Sequence, residues 1–447
     1  MARLLILPAI AAVLTVSLLS SCASVPTARQ EAAKQTATPV EAKAPFMAQV
    51  VGLQWLNPLQ RRDYPTEWQL LWTLGLVKPN MNDEKVKEKP AKFSSLQFIS
   101  SLANGWEGTK PFKEYHEQYA RKTIRLMMSN YFSTSKYFYN VHGIDSKPTW
   151  RELAGIHVEY AIPQDRLDAI EACAYLKDTI TNYFRIGIAS SPTLWTRDTP
   201  PDVRVTPGGP NAGFTSLTAA LDYLQAHPTE TVWVMGGDTP SYPPKEDQLN
   251  ENMVLLVLAG ANFKTERHAL AWIGYPATRA AIEFEAAKGL PPRAVQAWQA
   301  AITDAAANVN KQDTDIGYVI HDAHNTHQDS SDRIAHLAQA LTTEIPEFDF
   351  NKQTFNTPNV LGYMGAGTSL TNMALGIAYA NHIGKHVLVA GTTDLNHATA
   401  VLIQPPAKVR PIDHEDPWFR ARGEGNAYLM WWGMRHDAAR HSQGYSY

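Results

Sequence analysis

Short apolar runs alternate with helix-length amphipathic segments from about residue 149 onward. This alternation is typical of a mainly parallel sheet covered by helices, and the β-branched residues in the apolar runs favour strands. The predicted strands are 156–162, 184–189, 231–235, 253–258, 316–321 and 386–390. The predicted helices are 115–129, 163–184, 215–226, 293–308, 331–341 and 369–382.

The part of the chain before this alternation contains a tether and a short helix. Residues 23–46 have almost no large apolar side chain, so we expect a flexible tether that cannot repay the entropy of ordering. Ordered structure is predicted to begin at residues 49–53. Residues 66–72 form a short amphipathic pattern in which Trp68 and Trp72 share one face.

An internal repeat is visible within the alternating region. The tetrapeptide Thr-Ser-Leu-Thr stands at residues 215–218 and again at 368–371, an offset of 153 residues (368 minus 215). Each copy opens a predicted helix, and each helix leads into an apolar run that ends in a glycine followed by an aspartate, at 231–238 and at 386–394. The shared order predicts that one α/β unit has been duplicated.

The composition is that of a globular protein without a broad electrostatic field. The 447 residues are 44% hydrophobic and 19% charged, and the formal net charge is −3 with both signs dispersed. Nucleic-acid binding normally needs a basic surface, so we predict no nucleic-acid partner. The chain also lacks a Gly-x-Ser-x-Gly elbow, a Walker-type phosphate loop and a His-Glu-x-x-His pair, and we predict no cofactor.

The first 22 residues carry the features of a bacterial lipoprotein signal. Arg3 supplies a positive charge, residues 4–19 are apolar, and the sequence Leu-Ser-Ser-Cys ending at Cys22 matches the lipobox at which lipoproteins are cut and acylated. We predict a signal peptide over residues 1–22, a membrane-anchoring lipid on Cys22, and a mature protein that faces the periplasm in the cell envelope. The alternative is an uncleaved helical anchor, because the apolar run approaches membrane-spanning length.

Two sets of polar residues are compatible with chemistry but have simpler explanations. The hydroxyl of Thr215 is a candidate nucleophile, yet no base is evident and a helix cap explains it better. The second set consists of imidazoles and carboxylates that are close in sequence, namely His321, Asp322, His324, His327 and Asp329. Such groups can bind zinc or another divalent ion, but this stretch also has the composition of a polar loop. We therefore predict no metal site.

Four segments resemble the ketoacyl synthases, whose thiolase-like fold consists of two similar halves. The segments are 213–238 and 252–258 in the first half and 317–326 and 361–380 in the second. The resemblance implies a duplicated thiolase-like α/β/α/β/α architecture with an N-terminal extension, and it implies a homodimer.

The domain boundaries that follow from this reading divide the mature chain into three parts. Residues 47–150 are the N-terminal segment, residues 151–290 are the first thiolase-like half, and residues 291–447 are the second half with a C-terminal tail.

The same resemblance implies that the catalytic residues of that family are missing. Its cysteine nucleophile corresponds to the stretch from Gly213 to Thr215, its lysine falls near Leu361, and its second histidine falls near Ala366. Its first histidine corresponds to His324, which is present. We therefore predict a protein without enzymatic activity, in which His324 and Thr215 are what remains of the family site.

Residues 56–80 are the most distinctive stretch and resemble the opening of the bacterial type VI lipase adapter family. That resemblance implies a protein that binds a phospholipase toxin and loads it onto a VgrG-type spike protein of a type VI secretion system. The partner-binding residues that we predict in this stretch combine aromatic anchors with charged groups. They are Arg61, Arg62, Asp63, Tyr64, Trp68 and Trp72.

Several alternatives stay open at this point. The tryptophans of the front stretch also fit a role in packing the helix onto the body of the protein. The chain is also compatible with an acyltransferase that uses a non-standard nucleophile, or with a lipid-anchored envelope protein that binds another partner. Loading of a toxin implies a cytoplasmic location, whereas lipid on Cys22 implies the envelope.

Overall fold

The computed structural model describes residues 45–56, 66–77, 111–129, 155–190, 199–239, 251–323, 330–412 and 414. Within them the chain is a mixed α/β protein built on an eleven-stranded sheet. The strands are β1 (Met47–Leu56), β2 (His157–Pro163), β3 (Asp202–Gly208), β4 (Thr231–Asp238), β5 (Asn252–Ala259), β6 (Ala271–Gly274), β7 (Ala277–Ala280), β8 (Ile316–His321), β9 (Thr354–Asn356), β10 (His386–Gly391) and β11 (His397–Gln404). The helices are α1 (Thr66–Thr73), α2 (Phe112–Met127), α3 (Ala169–Phe184), α4 (Ala212–Ala226), α5 (Arg293–Ala307), α6 (Ser330–Glu344), α7 (Thr357–Leu361) and α8 (Thr368–Ile383).

The strand order repeats within the sheet. The first half runs β3-β2-β4-β5-β1, and the second runs β9-β8-β10-β11 followed by β6, with β7 also paired to β11. The directions repeat as well, because β2 is parallel to both β3 and β4 while β4 is antiparallel to β5. In the second half β8 is parallel to both β9 and β10 while β10 is antiparallel to β11. The predicted duplication is confirmed by this internal correspondence, and the two halves join where β1 pairs with β6.

Alternate side chains of the second-half strands point into two different hydrophobic cores, one on each face of the sheet. In β10, Val387 and Val389 lie in the large core that also contains α8, whereas Leu388 and Ala390 lie in a second core with α5 and α6. Successive side chains of a strand point to opposite faces, so α8 covers one face of the second half and α5 and α6 cover the other. In the first half α2 and α3 pack on the outside and α4 packs against α8. The result is the predicted α/β/α/β/α arrangement, with α4 and α8 as the central layer.

Most predicted elements lie within a few residues of their predicted bounds, but two predicted details were wrong and several strands were not predicted. Residues 184–189 are no strand, because Arg185 adopts a left-handed φ of 53° that ends α3 and the next residues form turns. The strands that were not predicted include β6, β7, β9, β11 and the edge strand β3, whose sequence carries Pro207 near the end. The first tetrapeptide does not open its helix: α4 begins at Ala212, with Asn211 before it, so Thr215 lies inside the helix.

The two tetrapeptides therefore do not occupy equivalent positions in the two halves, because the strands that follow them are offset by two residues more. The starts of β4 and β10 are 155 residues apart (386 minus 231), compared with 153 for the tetrapeptides. The N-terminal strand β1 pairs with β5 in the first half, and β6 and β7, which precede residue 291, pair with β11 in the second. No helix among the described residues has both the length and the apolar character needed to cross a membrane.

Candidate functional site

The N-termini of the two central helices meet at the junction between the halves. A turn at residues 209–211 leads into α4, and a 3-10 turn at Gly365–Gly367 leads into α8. The amide of Gly213 donates to Ser369 Oγ over 3.1 Å, and the amide of Ser369 donates to the Pro210 carbonyl over 3.2 Å. Each helix start is thus held by the other half. This junction is where the ketoacyl-synthase resemblance would place an active site.

Side chains fill this junction closely. A Cβ added to Gly213 would lie 2.5 Å from Ser369 Oγ and 2.7 Å from Leu370 Cγ. Phe214, the next residue, is 4% exposed, and its ring borders Gly391 at the end of β10. Glycine at position 213 is therefore required by the packing of α8, because any larger side chain would displace Ser369 or Leu370.

A buried carboxylate at the end of β4 holds the loop that precedes α8. Asp238 accepts hydrogen bonds from the amide of Thr239 at 2.8 Å and the amide of Ala366 at 3.1 Å, and it forms an ion pair with Arg166. Burial raises the pKa of Asp238 to about 6, although Arg166 and the two amides oppose this shift. The guanidinium of Arg166 also lies 4.3 Å from the ring centroid of Phe112, a cation–π contact.

Asn252, the partner of Asp238 in the β4–β5 pair, binds the same loop. Its Nδ2 donates to the Met364 carbonyl over 3.1 Å, and its Oδ1 accepts from Thr371 Oγ1 over 3.2 Å. A side chain at Gly367 would collide with Asn252 Oδ1. Two neighbouring strand ends therefore fix the segment in which the family resemblance places a histidine near Ala366.

These anchoring residues were not predicted as functional from the sequence. Asp238 was visible as the end of the repeated glycine-to-aspartate pattern, but its counterpart Asp394 has a different role. Asp394 accepts from the Asn396 amide at 2.8 Å and from His397 Nδ1 at 2.9 Å on the protein surface. The sequence pattern is shared, whereas burial and partners differ.

His321 and Asp322, the described part of the stretch of imidazoles and carboxylates, are buried and hydrogen-bonded within the protein. Burial lowers the pKa of His321 to about 4, so the ring is neutral at pH 7. Asp322 Oδ1 accepts from the amide of Thr392 at 2.6 Å and from its hydroxyl at 2.8 Å, while burial raises the pKa of Asp322. His324, His327 and Asp329 lie outside the described residues. Within the described ranges no group of three or more potential ligands could hold a metal ion.

The structure describes one of the two predicted remnants of the family site. Thr215 lies in the first turn of α4 and is exposed, so its predicted role as a helix cap was wrong. Asn211 precedes the helix instead. His324 lies outside the described residues, and the distance between the two predicted remnants is therefore not defined.

Two of the six predicted partner-binding residues are described. Trp68 is 2% exposed and packs with Leu71 and Val77, and Ile412 from the C-terminal segment packs against the same cluster. Trp72 is half-buried, with its ring centroid 4.2 Å from that of Trp68. In this conformation Trp68 packs α1 onto the body and Trp72 retains some exposed surface. The other predicted residues, Arg61, Arg62, Asp63 and Tyr64, lie outside the described part of the chain, as does Cys22.

Comparison with solved structures finds ketosynthases and thiolases. The oxazolomycin ketosynthase domain of Streptomyces albus JA3453 is 12% identical, with 83% of this chain and 98% of that chain covered and a TM-score of 0.49. The ishigamide ketosynthase/chain length factor is 12% identical, with 80% and 99% covered and a TM-score of 0.49. Peroxisomal 3-ketoacyl-CoA thiolase of Saccharomyces cerevisiae is 10% identical, with 58% and 86% covered and a TM-score of 0.39. At these values the likeness carries no conclusion about activity or substrate.

Comparison with protein families gives one match. No curated protein sequence matches the chain. The matched residues, 279–405, run from the end of β7 to just past β11 and so include nearly all of the second half of the duplication. The match covers less than a third of the 447 residues. Its description is the C-terminal region of the type VI lipase adapter protein Tla3, and the match supports a type VI lipase adapter role for this chain.

Proposed function

We propose that this chain is a non-catalytic adapter that binds a phospholipase effector and loads it onto the VgrG-type spike of a type VI secretion system. The match of residues 279–405 to the adapter family carries this proposal. The resemblance of residues 56–80 to the opening of the same family adds a second, independent segment. The two segments lie at opposite ends of the described chain, yet Ile412 brings the C-terminal part against α1.

The junction of the central helices supports the non-catalytic part of the proposal. The family nucleophile corresponds to the stretch from Gly213 to Thr215, which contains no cysteine, and Ser369 and Leu370 leave no room for a side chain at Gly213. The position that corresponds to the second histidine is Ala366, whose amide is bound by Asp238. Acyl transfer needs an activated nucleophile and groups that stabilise developing negative charge. In the adapter these positions serve to join the two halves.

Binding of the effector is tested by mixing the purified full-length chain with candidate phospholipase effectors from the same bacterium. We expect one complex in size-exclusion chromatography with light scattering, and we expect secretion of the phospholipase to stop when the adapter is deleted. Absence of a complex at about micromolar concentrations of both proteins would contradict the proposal.

The absence of catalysis is tested separately by intact mass. The chain is incubated with acyl thioesters of several lengths, and we expect no covalent adduct. A matched Thr215→Ala variant identifies the nucleophile if an adduct forms. An adduct on the wild type that is lost in this variant would show an acyltransferase instead.

We propose that the N-terminus decides where the adapter acts. Lipid on Cys22 would hold the mature chain at the periplasmic side of the envelope, whereas an unprocessed chain stays where toxin loading is expected. Cell fractionation together with mass measurement of the N-terminal peptide separates the two. A diacylated Cys22 would rule out a cytoplasmic mature form.

A further inference from the structure

A groove of about 680 Å³ lies between two walls on the surface near the C-terminal end of α8. One wall is the loop 265–270 between β5 and β6, and the other is the segment 407–411 that follows β11. This volume lies in the range of sites that bind several groups of a ligand at once.

The C-terminal wall is held in place by α8. The amide of Arg410 donates to the Asn381 carbonyl over 3.0 Å, and His382 Nδ1 lies 2.9 Å from the Arg410 carbonyl. Burial lowers the pKa of His382 to about 4, so at pH 7 the neutral ring donates from Nδ1 to this carbonyl. The Gln49 side chain in β1 supports the turn before the other wall by donating to the carbonyls of Gly260 and Phe263. A ligand would therefore find both walls already formed.

A buried acceptor lies in the floor of the groove. Asn381 is 4% exposed, and its Nδ2 donates to the Leu270 carbonyl over 2.7 Å. That bond sets the orientation of the amide, and Asn381 Oδ1 has no hydrogen-bond partner among the described residues. A buried polar atom without a partner is costly, and a ligand N–H would satisfy it. Leu270 and the half-buried Trp272 supply apolar surface beside it.

The rim of the groove carries more positive than negative charge. Arg267 contributes from one wall, and the exposed Lys408 and Arg410 contribute from the other. Glu266 is the acidic residue among those that line the groove. Opposite charge on a partner would be attracted here, and this complementarity favours a carboxylate-bearing ligand.

We infer that this groove is the docking site for an acidic, extended segment of the effector protein. A peptide supplies both carboxylates for the cationic rim and a backbone N–H for Asn381 Oδ1, whereas a phosphodiester group itself carries acceptors and no donor. The same C-terminal segment continues to Ile412, which packs on α1. The wall at residues 407–411 is therefore joined through Ile412 to the helix that carries part of the front motif. This inference rests on the proposed adapter function and assigns it a surface.

The experiment measures the affinity of full-length variants for the purified phospholipase at about 50 mM and 300 mM salt, since exposed charges are screened at the higher value. Lys408→Glu reverses a charge at the rim, Lys408→Arg retains it, and Lys288→Glu reverses an exposed lysine outside the groove. We expect Lys408→Glu to weaken binding about tenfold or more at low salt and less at high salt, while the other two bind as wild type. Hydrogen exchange of the complex should show protection of residues 265–270 and 407–411.

The outcomes separate this inference from the proposed function. If the wild type does not bind the phospholipase, the proposed function fails. If the wild type binds and Lys408→Glu binds equally well at low salt, the groove assignment alone is overturned. Phosphatidylglycerol vesicles serve as a second probe. Vesicle binding that Lys408→Glu abolishes, with phospholipase binding unchanged, would assign the groove to a lipid headgroup and overturn the peptide occupant.

Discussion

The two halves of the sheet share one strand order but use their central helices differently. In α8, 14 of the 16 residues are buried, whereas in α4 the number is 8 of 15. The reason is position, because α8 contacts β4 and β5 of the first half as well as β8, β10 and β11 of its own half. Helix α4 instead packs on β2, β3 and β4 and on α8. Duplication produced two equivalent units, and their packing made one helix internal and left the other partly at the surface.

The repeated tetrapeptide shows what this difference does to identical residues. All four residues from Thr368 to Thr371 are buried, but Thr215 is exposed and Thr218 is half-buried. The hydroxyl of Thr368 donates to the Gly365 carbonyl over 2.7 Å. The same four residues are therefore expected to contribute differently to the free energy of unfolding in the two halves. Substitutions can measure this difference.

The largest effect is expected at the loop that crosses from the second half onto the first. Gly367→Ala places a Cβ against Asn252 Oδ1, and Asn252 cannot move without breaking its bonds to Met364 and Thr371. We expect the free energy of unfolding to fall by about 3–5 kcal/mol, from overpacking and lost hydrogen bonds. Chemical denaturation measures it. The control is Gly209→Ala before α4, where a Cβ meets no atom within 4 Å; a similar loss there would contradict the assignment.

The leucines of the two tetrapeptides give the next largest contrast. Both Leu370 and Leu217 are fully buried, but Leu370 also contacts Gly213 and Gly236 of the first half. We expect Leu370→Ala to cost about 4 kcal/mol and Leu217→Ala about 3 kcal/mol, because a cavity between two rigid halves collapses less. If both variants lose the same free energy of unfolding in denaturant, contacts across the junction contribute no stability beyond the burial of Leu370.

The aspartate at the end of β4 makes the stability of the fold depend on pH. The pKa of Asp238 is raised to about 6 in the folded protein, above the ordinary 3.8, so the folded state binds this proton more tightly. Stability contributed by that proton is fully present below about pH 4 and is lost as pH rises through about 6. In Asp238→Asn this pH-dependent loss, about 2–3 kcal/mol, should disappear.

The readout for Asp238→Asn is the slope of the unfolding free energy between pH 4 and 7, because the substitution also has a pH-independent cost at the Thr239 and Ala366 amides. Asp394→Asn is the matched control, since Asp394 holds the corresponding place after β10 and is partly exposed. A wild-type slope in Asp238→Asn would mean that burial does not raise this pKa.

The smallest contrast is expected at the first threonines. Thr368→Ala removes a buried hydrogen bond and should lower the free energy of unfolding by about 1–2 kcal/mol. Thr215→Ala changes an exposed side chain and should alter it by less than about 0.5 kcal/mol. Thermal unfolding of the two variants side by side tests this. A larger loss of stability for Thr215→Ala than for Thr368→Ala would contradict the expected order.

Much of the fold followed from local pattern. The bounds of β8 were predicted to the residue, because a β-branched apolar run between polar stretches favours a strand regardless of its neighbours. Segment 184–189 has a similar composition but is no strand, because Arg185 ends α3 in a left-handed conformation; Phe184 and Ile186 are buried there, whereas Ile188 is exposed. Strand β3 was missed because its role at the sheet edge is defined by pairing with β2. Pairing over long sequence distances leaves little trace in local composition.

The amino-acid sequence by itself determined the duplicated α/β order and the match of residues 279–405 to type VI adapters, since both depend on residues that are close along the chain. Only the tertiary structure decided that Gly213 must be a glycine, that Asp238 is a buried anchor while Asp394 is a surface residue, and that residues 265–270 and 407–411 face each other across a groove. The physical reason is the same in each case. Burial, electrostatic environment and shape arise from contacts between residues that are distant in sequence.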